Sequence, residues 1–232
     1  MKTYVFQRIV NNFMLWLPKR NKNSVILNVG CGPGWLEKAI WSKLNGEHIV
    51  SMDISPEMAR LTKSRTPQLD VVVADAENLP FRTGAFDALF SGRAIKFLHI
   101  QKFLNQTSLV LKDHGSLGII FDCADAVWLR ILERIGKRMD AGIGERTLRA
   151  SDLSAELREG NFEVTKTVQI SLLPYSIFSL PAALHKFLSL IDIPVVQSRL
   201  TFICGRLKEK QSSYHGTTKL LVSNECRIEI KT

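Results

Sequence analysis

The sequence predicts an α/β protein with a doubly wound, mostly parallel sheet of seven strands and helices on both faces. Two observations predict this fold. Over residues 24–122, apolar strand-like runs alternate with amphipathic helical segments, and the links between them are short. A glycine-rich turn, "VGCGPG" at residues 29–34, stands where the first strand should end and the first helix should begin.

The predicted elements follow the order that such a sheet requires. An amphipathic helix over 3–17 comes first, and five strands then follow at 24–29, 48–54, 69–76, 86–95 and 115–122. Helices are predicted between these strands at 35–44, 55–65 and 100–112. Beyond residue 123 the pattern predicts a mostly helical stretch at 124–159, a strand at 162–172, an apolar helical stretch at 176–192 and a last strand at 199–208.

A chain of 232 residues has room for one such domain with added segments. We predict an N-terminal amphipathic helix within 1–23 that acts as a cap, a main domain over 24–210 and a polar tail over 211–232. Insertions at about 124–159 and 174–196 interrupt the main domain. The predicted fold therefore has a helical cap or insertion in addition to the sheet and its helices. These added segments are expected to determine which substrate binds.

The net charge of +9 is unevenly distributed, because no acidic residue precedes Glu37. Such a balance suits an anionic substrate, a membrane surface or nucleic acid, and it equally suits a solvated basic face. No apolar run reaches membrane-spanning length and the N-terminus lacks a cleavage site typical of signal peptides, so we expect a cytoplasmic protein. The four cysteines form no C-x-x-C pair, which indicates neither a disulfide framework nor a metal site.

Spacing in the glycine turn indicates what it binds. Dinucleotide-binding loops follow G-x-G-x-x-G, but the position of the last glycine is occupied by Trp35. A nicotinamide-dependent oxidoreductase is therefore disfavoured. The phosphate-binding pattern G-x-x-x-x-G-K-[ST] is also missing from the sequence.

The stretch "VGCGPGWLEKAI" instead resembles the glycine loop of class I S-adenosylmethionine-dependent methyltransferases, and the resemblance extends over about residues 24–122. It continues through "VSMDIS", "VVVADAENLPF" and "LVLKDHGSLGIIF". The motif after the third strand is similar to that of many small-molecule methyltransferases, including the ubiquinone and menaquinone biosynthesis enzymes. The resemblance implies a Rossmann-like fold and S-adenosyl-L-methionine as the cofactor.

The resemblance also implies which residues contact the cofactor. The carboxylate of Asp53 would hold the ribose hydroxyls, and Ile54 would pack on the adenine. Asp75 and Ala76 would contact the adenine ring and its amino group. The remaining cofactor-binding residues implied are those of the turn and the end of the fourth strand: Gly30, Cys31, Gly32, Gly34 and Ser91.

Several of these residues also have a simpler structural role as an alternative. The alternative for Asp53 is to cap the helix that begins near Ser55, and the alternative for Asp75 is to form a turn. Cys31 is interpreted as a small residue in a crowded turn rather than as a reactive thiol. Trp35 and Trp41 are predicted to pack within the protein rather than to contact ligands.

The catalytic residues are less defined by the sequence. A histidine pair that many relatives carry after the fourth strand is missing, and Lys96 and Phe97 stand at its positions. His99 is the candidate catalytic base, with a role unrelated to catalysis as its alternative. Arg93 is the candidate for holding an anionic group of the substrate, with a surface ion pair as its alternative.

Taken together, these patterns predict methyl transfer to a small, lipophilic or aromatic acceptor by a monomer or homodimer. The apolar stretch at 174–196 is interpreted as a lid, a peripheral membrane contact, a packed helix or a dimer interface. Because of the positive charge, RNA or protein methylation remains an alternative, although nucleic acid is a disfavoured partner. The missing histidine pair leaves a non-catalytic cofactor-binding subunit as a further alternative.

Overall fold

The structure is a computed structural model of the chain, and it describes residues 2–17, 23–44, 46–123, 148–171 and 200–209. Most of the predicted insertion at 124–159, the apolar stretch at 174–196 and the tail at 211–232 lie outside the described residues.

Within the described ranges, the chain forms five α-helices and seven β-strands. The helices are α1 (Lys2–Trp16), α2 (Trp35–Ile40), α3 (Pro56–Arg65), α4 (Ile100–Val110) and α5 (Ala150–Glu159). The strands are β1 (Val25–Val29), β2 (His48–Asp53), β3 (Asp70–Val73), β4 (Phe86–Gly92), β5 (Leu111–Asp122), β6 (Phe162–Ser171) and β7 (Leu200–Leu207). Short 3₁₀ turns follow α2 at Trp41–Lys43 and β4 at Ile95–Phe97.

The seven strands form one sheet in the order β3-β2-β1-β4-β5-β7-β6. Strands β1 to β5 run parallel, and β7 runs antiparallel to both β5 and β6. The predicted fold class, a mostly parallel seven-stranded sheet, is therefore confirmed. The strand order reverses between β1 and β4, and in such sheets the crevice beside the carboxyl ends at this reversal is where ligands bind.

Several predicted boundaries differ from the structure. Strand β3 ends at Val73 instead of residue 76, and β4 ends at Gly92 instead of residue 95, because Arg93 adopts a left-handed backbone with φ 68°. Strand β5 begins at Leu111 instead of residue 115. The predicted turn is a bulge within this strand, with His114 at φ 59° and a shift of register against β4.

Both faces of the sheet are buried, which explains why its strands are apolar at successive positions. On β1, the side chains of Leu27 and Val29 pack into the cluster that α4 and α5 cover, and Ile26 packs into the cluster on the opposite face. Helix α1 covers this second face. Phe13 of α1 meets Phe90 of β4 edge-to-face, with 4.8 Å between the ring centroids.

A buried carboxyl group fixes α2 against the sheet. The side chain of Glu37 is 1% exposed, and its Oε1 accepts hydrogen bonds from Asn28 Nδ2 at 2.5 Å and from Ser51 Oγ at 2.9 Å. Its other oxygen has no hydrogen-bond partner among the described residues. Burial raises the pKa of Glu37, so folding shifts its protonation equilibrium towards the neutral carboxylic acid.

This burial makes stability depend on pH. Because the pKa of Glu37 is higher in the folded than in the unfolded protein, its contribution to stability is fully present below the unfolded pKa and falls as pH rises towards the folded pKa. The substitution Glu37→Gln keeps an acceptor oxygen and cannot ionise. We expect it to raise the Tm at about pH 8 by roughly 2–4 °C and to change it little at about pH 5.

Thermal unfolding at the two pH values measures the effect, and Glu163→Gln on the exposed side of β6 serves as the control. An equal change of Tm for Glu37→Gln at both pH values would show that folding does not raise the pKa of Glu37.

Candidate functional site

The glycine turn between β1 and α2 is tied to the end of β2 by three backbone donors. The N–H groups of Gly30 and Cys31 both donate to the carbonyl of Met52, each at 2.9 Å. The N–H of Gly32 donates to the Asp53 carboxylate at 2.8 Å. The turn therefore takes its shape from the neighbouring strand.

Helix α3 holds the opposite side of the turn. The hydroxyl of Thr62 donates to the carbonyl of Gly32 at 2.8 Å, and the guanidinium of Arg65 donates to the carbonyl of Pro33. The same guanidinium stacks on the indole of Trp35, 4.0 Å from the ring centroid. These contacts fix the turn from both sides.

The three glycines of the turn have different neighbours, although all have positive φ values of 55–75°. A Cβ on Gly30 would lie 2.4 Å from the Cβ of Ala94, and one on Gly34 would lie 2.8 Å from the Cα of Thr62. A Cβ on Gly32 would have no protein atom within 4 Å. Gly30 and Gly34 are therefore required by packing, whereas Gly32 borders open space.

That open space belongs to a cavity of about 390 Å³ at the carboxyl ends of β1, β2 and β4. The cavity brings together residues that the sequence places far apart. Seven of the predicted site residues line it: Gly30, Gly32, Asp53, Ile54, Asp75, Ala76 and Arg93. We call it the polar cavity, because both carboxylates of the predicted site face it.

The side chain of Asp53 accepts two backbone hydrogen bonds. Oδ2 accepts from Gly32, and Oδ1 accepts from the N–H of Ser55 at 3.0 Å. The cap of α3 is the hydroxyl of Ser55, which accepts from the N–H of Met58 at 3.3 Å. A carboxylate has about four lone-pair positions, so Asp53 can accept further hydrogen bonds from a ligand.

The loop after β3 and the turn after β4 form the other walls of the polar cavity. Asp75 Oδ1 accepts from the N–H of Glu77 at 2.9 Å, which is the turn considered as its alternative role, and its side chain remains exposed. Two apolar side chains, Ile54 at 71% exposure and Phe97 at 61%, also line the cavity. Exposed apolar side chains of this size at a cavity rim are suited to covering a flat ligand.

A second cavity of about 810 Å³ lies between α1 and the glycine turn. We call it the apolar cavity after its walls, which are formed by Phe6, Ile9, Trp35, Leu36, Phe90 and Ile120. Gly30, Gly32, Gly92 and Arg93 line both cavities. The two cavities therefore adjoin at the glycine turn.

Arg93 stands at this junction, directly after β4. Its N–H donates to the carbonyl of Ile120 at 2.7 Å. Its Nε and one Nη both donate to Oδ2 of Asp122, at 3.1 and 2.9 Å. The ion pair considered as an alternative role is present, and the same residue also borders both cavities.

Comparison with known proteins agrees with this geometry. Residues 27–119 match a family model described as a methyltransferase domain. The match spans β1 to most of β5, which includes the glycine turn, Asp53 and Asp75. Over these residues the chain is similar to the methyltransferase domain family.

Individual relatives differ in what they methylate. The chain is 37% identical over 91 residues to an uncharacterized protein of Methanocaldococcus jannaschii. This match covers 39% of this chain and 34% of the relative. It is 38% identical to the malonyl-[acyl-carrier protein] O-methyltransferase of Legionella pneumophila, over 30% of this chain and 26% of the relative. It is 29% identical to the ubiquinone/menaquinone biosynthesis C-methyltransferase of Campylobacter jejuni, over 50% of this chain and 56% of the relative.

The chain thus spans between about a quarter and just over half of the length of these relatives. Among solved structures, a SAM-dependent methyltransferase from Thermotoga maritima, described as a possible histamine N-methyltransferase, superposes with a TM-score of 0.67. It is 19% identical, and the match covers 89% of this chain and 91% of that chain, so the likeness concerns the fold.

The residues of the polar cavity fit the cofactor of this methyltransferase family. Because Gly32 has no side chain, the space that a Cβ would occupy is open and leaves room for a bound molecule against the backbone. Asp53 and Asp75 offer acceptor oxygens for hydroxyl and amino groups, and Ile54 and Phe97 offer apolar surface for a purine ring.

Three of the predicted site residues line neither cavity, namely Gly34, Ser91 and His99. Ser91 is fully buried within β4, and its hydroxyl has no partner among the described residues. Side chains alternate between the two faces of a strand, so the neighbours Phe90 and Gly92 line the apolar cavity instead. The structure therefore brings the predicted Ser91 to neither cavity.

His99 lies at the start of α4, where its N–H donates to the carboxylate of Glu77 at 2.6 Å. This hydrogen bond lowers the pKa of Glu77. The imidazole of His99 is exposed and borders neither cavity, so the structure does not bring the predicted base to the site.

Cys31 and Gly34 contribute through their size. Cys31 lines the apolar cavity, and burial raises the pKa of its thiol to about 12. At neutral pH the thiol stays protonated, and it accepts a hydrogen bond from the Thr62 hydroxyl at 3.4 Å. Gly34 is buried beneath the turn and lines neither cavity.

The sequence interpretation missed one prominent site residue. Trp35 was predicted to pack, but it is 54% exposed and lines the apolar cavity. Its position directly after the glycine turn was the available signal, since a residue there must lie beside whatever the turn binds. Phe97 was also not named as a site residue, although it stands at a position of the missing histidine pair.

The different neighbours of the glycines lead to opposite expectations for two substitutions. We expect Gly32→Ala to keep the fold, at a cost of about 1 kcal/mol for a side chain in the left-handed region, because no protein atom opposes its Cβ. We expect its affinity for S-adenosylhomocysteine to fall at least about tenfold, since the methyl group would occupy the polar cavity.

Gly34→Ala is the matched comparison, and its clash with the Thr62 backbone should lower the Tm further than Gly32→Ala does. Thermal unfolding and isothermal titration calorimetry separate the two effects. Wild-type affinity in Gly32→Ala would mean that the cofactor does not lie against this glycine.

Proposed function

We propose that the protein transfers the methyl group of S-adenosylmethionine to a small lipophilic or aromatic acceptor. One observation carries the proposal: a polar cavity and an apolar cavity adjoin at Gly30, Gly32, Gly92 and Arg93. This arrangement suits methyl transfer, because the nucleophile of the acceptor must meet the methyl carbon of the cofactor where the cavities adjoin. The rest of the cofactor would lie in the polar cavity and the rest of the acceptor in the apolar cavity.

In the polar cavity, different residues would contact different parts of the cofactor. Asp53 would accept hydrogen bonds from the ribose hydroxyls, while Ile54 and Phe97 would cover the adenine. Asp75 and Ala76 would contact the edge of the adenine ring. Gly32 would leave space for the methionine part beside the turn. When bound, the cofactor supplies an electrophilic methyl carbon attached to a sulfonium.

On the other side, the walls favour an apolar acceptor. The cavity of about 810 Å³ is large enough for a molecule of several rings or a short isoprenoid. Aromatic and aliphatic side chains from α1, α2, β4 and β5 form most of its lining and would exclude water from the reacting atoms. The name of the Campylobacter relative, a ubiquinone/menaquinone biosynthesis enzyme, supports an acceptor of this class.

Among the described residues, no helix is long and apolar enough to cross a membrane. A peripheral membrane contact through 174–196, and a monomeric or homodimeric state, stay predictions of the sequence.

The role of Asp53 can be tested with a conservative substitution. Asp53→Asn keeps a carbonyl oxygen for the Gly32 N–H, so the turn should hold and the Tm should change by only a few degrees. Its amide group cannot accept two hydrogen bonds from a vicinal diol, so affinity for S-adenosylhomocysteine should fall by about 10- to 100-fold.

Calorimetric titration measures the affinity, and Asp113→Asn, an exposed aspartate on β5 outside both cavities, is the control. Undiminished binding by Asp53→Asn would remove the carboxylate from the cofactor site.

The acceptor class can be tested with S-adenosylmethionine that carries a tritiated methyl group. We expect label from a panel of aromatic and isoprenoid compounds to enter products extractable by organic solvent, and RNA and protein fractions to remain unlabelled. Trp35→Ala should raise the acceptor KM by about tenfold and change cofactor affinity much less, because Trp35 lines the apolar cavity and not the polar cavity.

Trp41→Ala is its matched control, since Trp41 follows α2 and lines neither cavity. Label found in RNA or protein instead would support the alternative suggested by the positive charge. Equal effects of the two tryptophan substitutions would place the acceptor elsewhere.

A further inference from the structure

The described lining of the apolar cavity contains hardly any ionisable groups. Apart from apolar residues and glycines, it holds only the thiol of Cys31 and the guanidinium of Arg93. The thiol stays protonated at neutral pH because of its burial, and an arginine does not lose its proton in proteins. None of these described side chains can therefore act as a general base.

Arg93 is placed to receive a negative charge. Asp122 engages two N–H groups of its guanidinium, Nε and one on Nη. A guanidinium carries five such donors, so others remain for a second anion. Because Arg93 lines both cavities, an anion bound to it would lie close to where the two cavities adjoin.

The backbone at Arg93 adds an independent observation. Its φ of 68° lies in the left-handed region, which costs a residue with a side chain about 1–2 kcal/mol and costs glycine almost nothing. A long side chain kept at such a position indicates that the side chain itself is needed there. Asp122 lines neither cavity and acts as a positioning residue for the guanidinium.

We propose that the acceptor reacts as an oxyanion carried on an apolar body, a carboxylate or an ionised phenol, which Arg93 binds and for which the described lining of the apolar cavity supplies no base. This inference rests on the proposed methyl transfer and names the chemistry of its acceptor. A cationic acceptor is disfavoured, since both the guanidinium and a sulfonium would repel it.

The reaction is balanced without a proton transfer. A lone pair of the oxyanion forms the new O–C bond to the methyl carbon, the C–S bond breaks, and its electron pair stays on sulfur. An anion and a sulfonium thereby become a neutral ester or ether and a neutral thioether. Since charge is lost on the way to the transition state, the dry walls of the apolar cavity favour the reaction.

The same loss of charge defines what Arg93 contributes. The acceptor carries its full charge in the ground state and only part of it in the transition state, so the guanidinium assists binding more than the chemical step. We therefore expect Arg93→Ala to raise the acceptor KM by at least about tenfold and to leave kcat within about threefold.

Binding can be tested separately from turnover. The probes are 2-naphthoate, 2-naphthol and 2-naphthylamine, which share one apolar body, and each is titrated into protein saturated with S-adenosylhomocysteine. We expect 2-naphthoate to bind at least about tenfold more tightly than 2-naphthylamine. Arg93→Ala should abolish this preference, and Arg93→Lys should keep part of it.

Arg82→Ala is the matched control, because Arg82 is exposed and lies outside both cavities. Thermal unfolding confirms that each variant folds. Transfer of tritiated methyl groups to the preferred probe should show no pH dependence between about pH 6.5 and about pH 9 for the carboxylate. For the phenol, the rate should follow its ionisation.

The outcomes separate this inference from the proposed function. If S-adenosylhomocysteine binds and the three probes bind equally, or if Arg93→Ala keeps the preference, the oxyanion proposal is wrong and methyl transfer still stands. If S-adenosylhomocysteine does not bind at all, the proposed function itself fails. A rate for the carboxylate that rises with pH would reveal a protein base and would also overturn the proposal.

Discussion

The hydrogen bond between the Asp53 carboxylate and the N–H of Gly32 is the constraint on which the rest of the site depends. It joins the end of β2 to the middle of the glycine turn, and two further N–H groups of the turn reach the carbonyl of Met52. With the turn held in this way, the Cα of Gly32 borders open space on its exposed side. Both cavities share this turn, so its position defines each of them.

The apolar cavity depends on a second constraint, the docking of α1. Phe13 and Trp16 of this helix pack against Phe90 and Phe202 of the sheet, with ring centroids 4.8–6.1 Å apart. That aromatic cluster holds Phe6 and Ile9 opposite the glycine turn, where they form one wall. The size and polarity of the apolar cavity therefore follow from a helix that lies outside the strand and helix repeat.

The charged groups around the turn differ in burial and consequently in role. Glu37 is buried and paired with Asn28 and Ser51, and burial favours its neutral form, so it ties α2 to the sheet. Asp53 is partly exposed and accepts two backbone hydrogen bonds while facing the polar cavity. Arg93 and Asp122 form their pair at the ends of β4 and β5, where water screens it. Such an arrangement leaves the apolar cavity with a single described cation at its edge.

The sequence by itself determined the parallel sheet and seven of the residues that line the polar cavity. Parallel strands end at one edge of a sheet, so Asp53 and Asp75, which follow two strands in the sequence, had to come together there. Only the tertiary structure decided that Gly32 faces open space while Gly30 and Gly34 are packed, that Ser91 points away, and that α1 and Arg93 create a second cavity. Local periodicity determines whether a segment forms a helix or a strand. Packing in three dimensions decides which side chains of a strand face each side of the sheet and which distant segments come into contact.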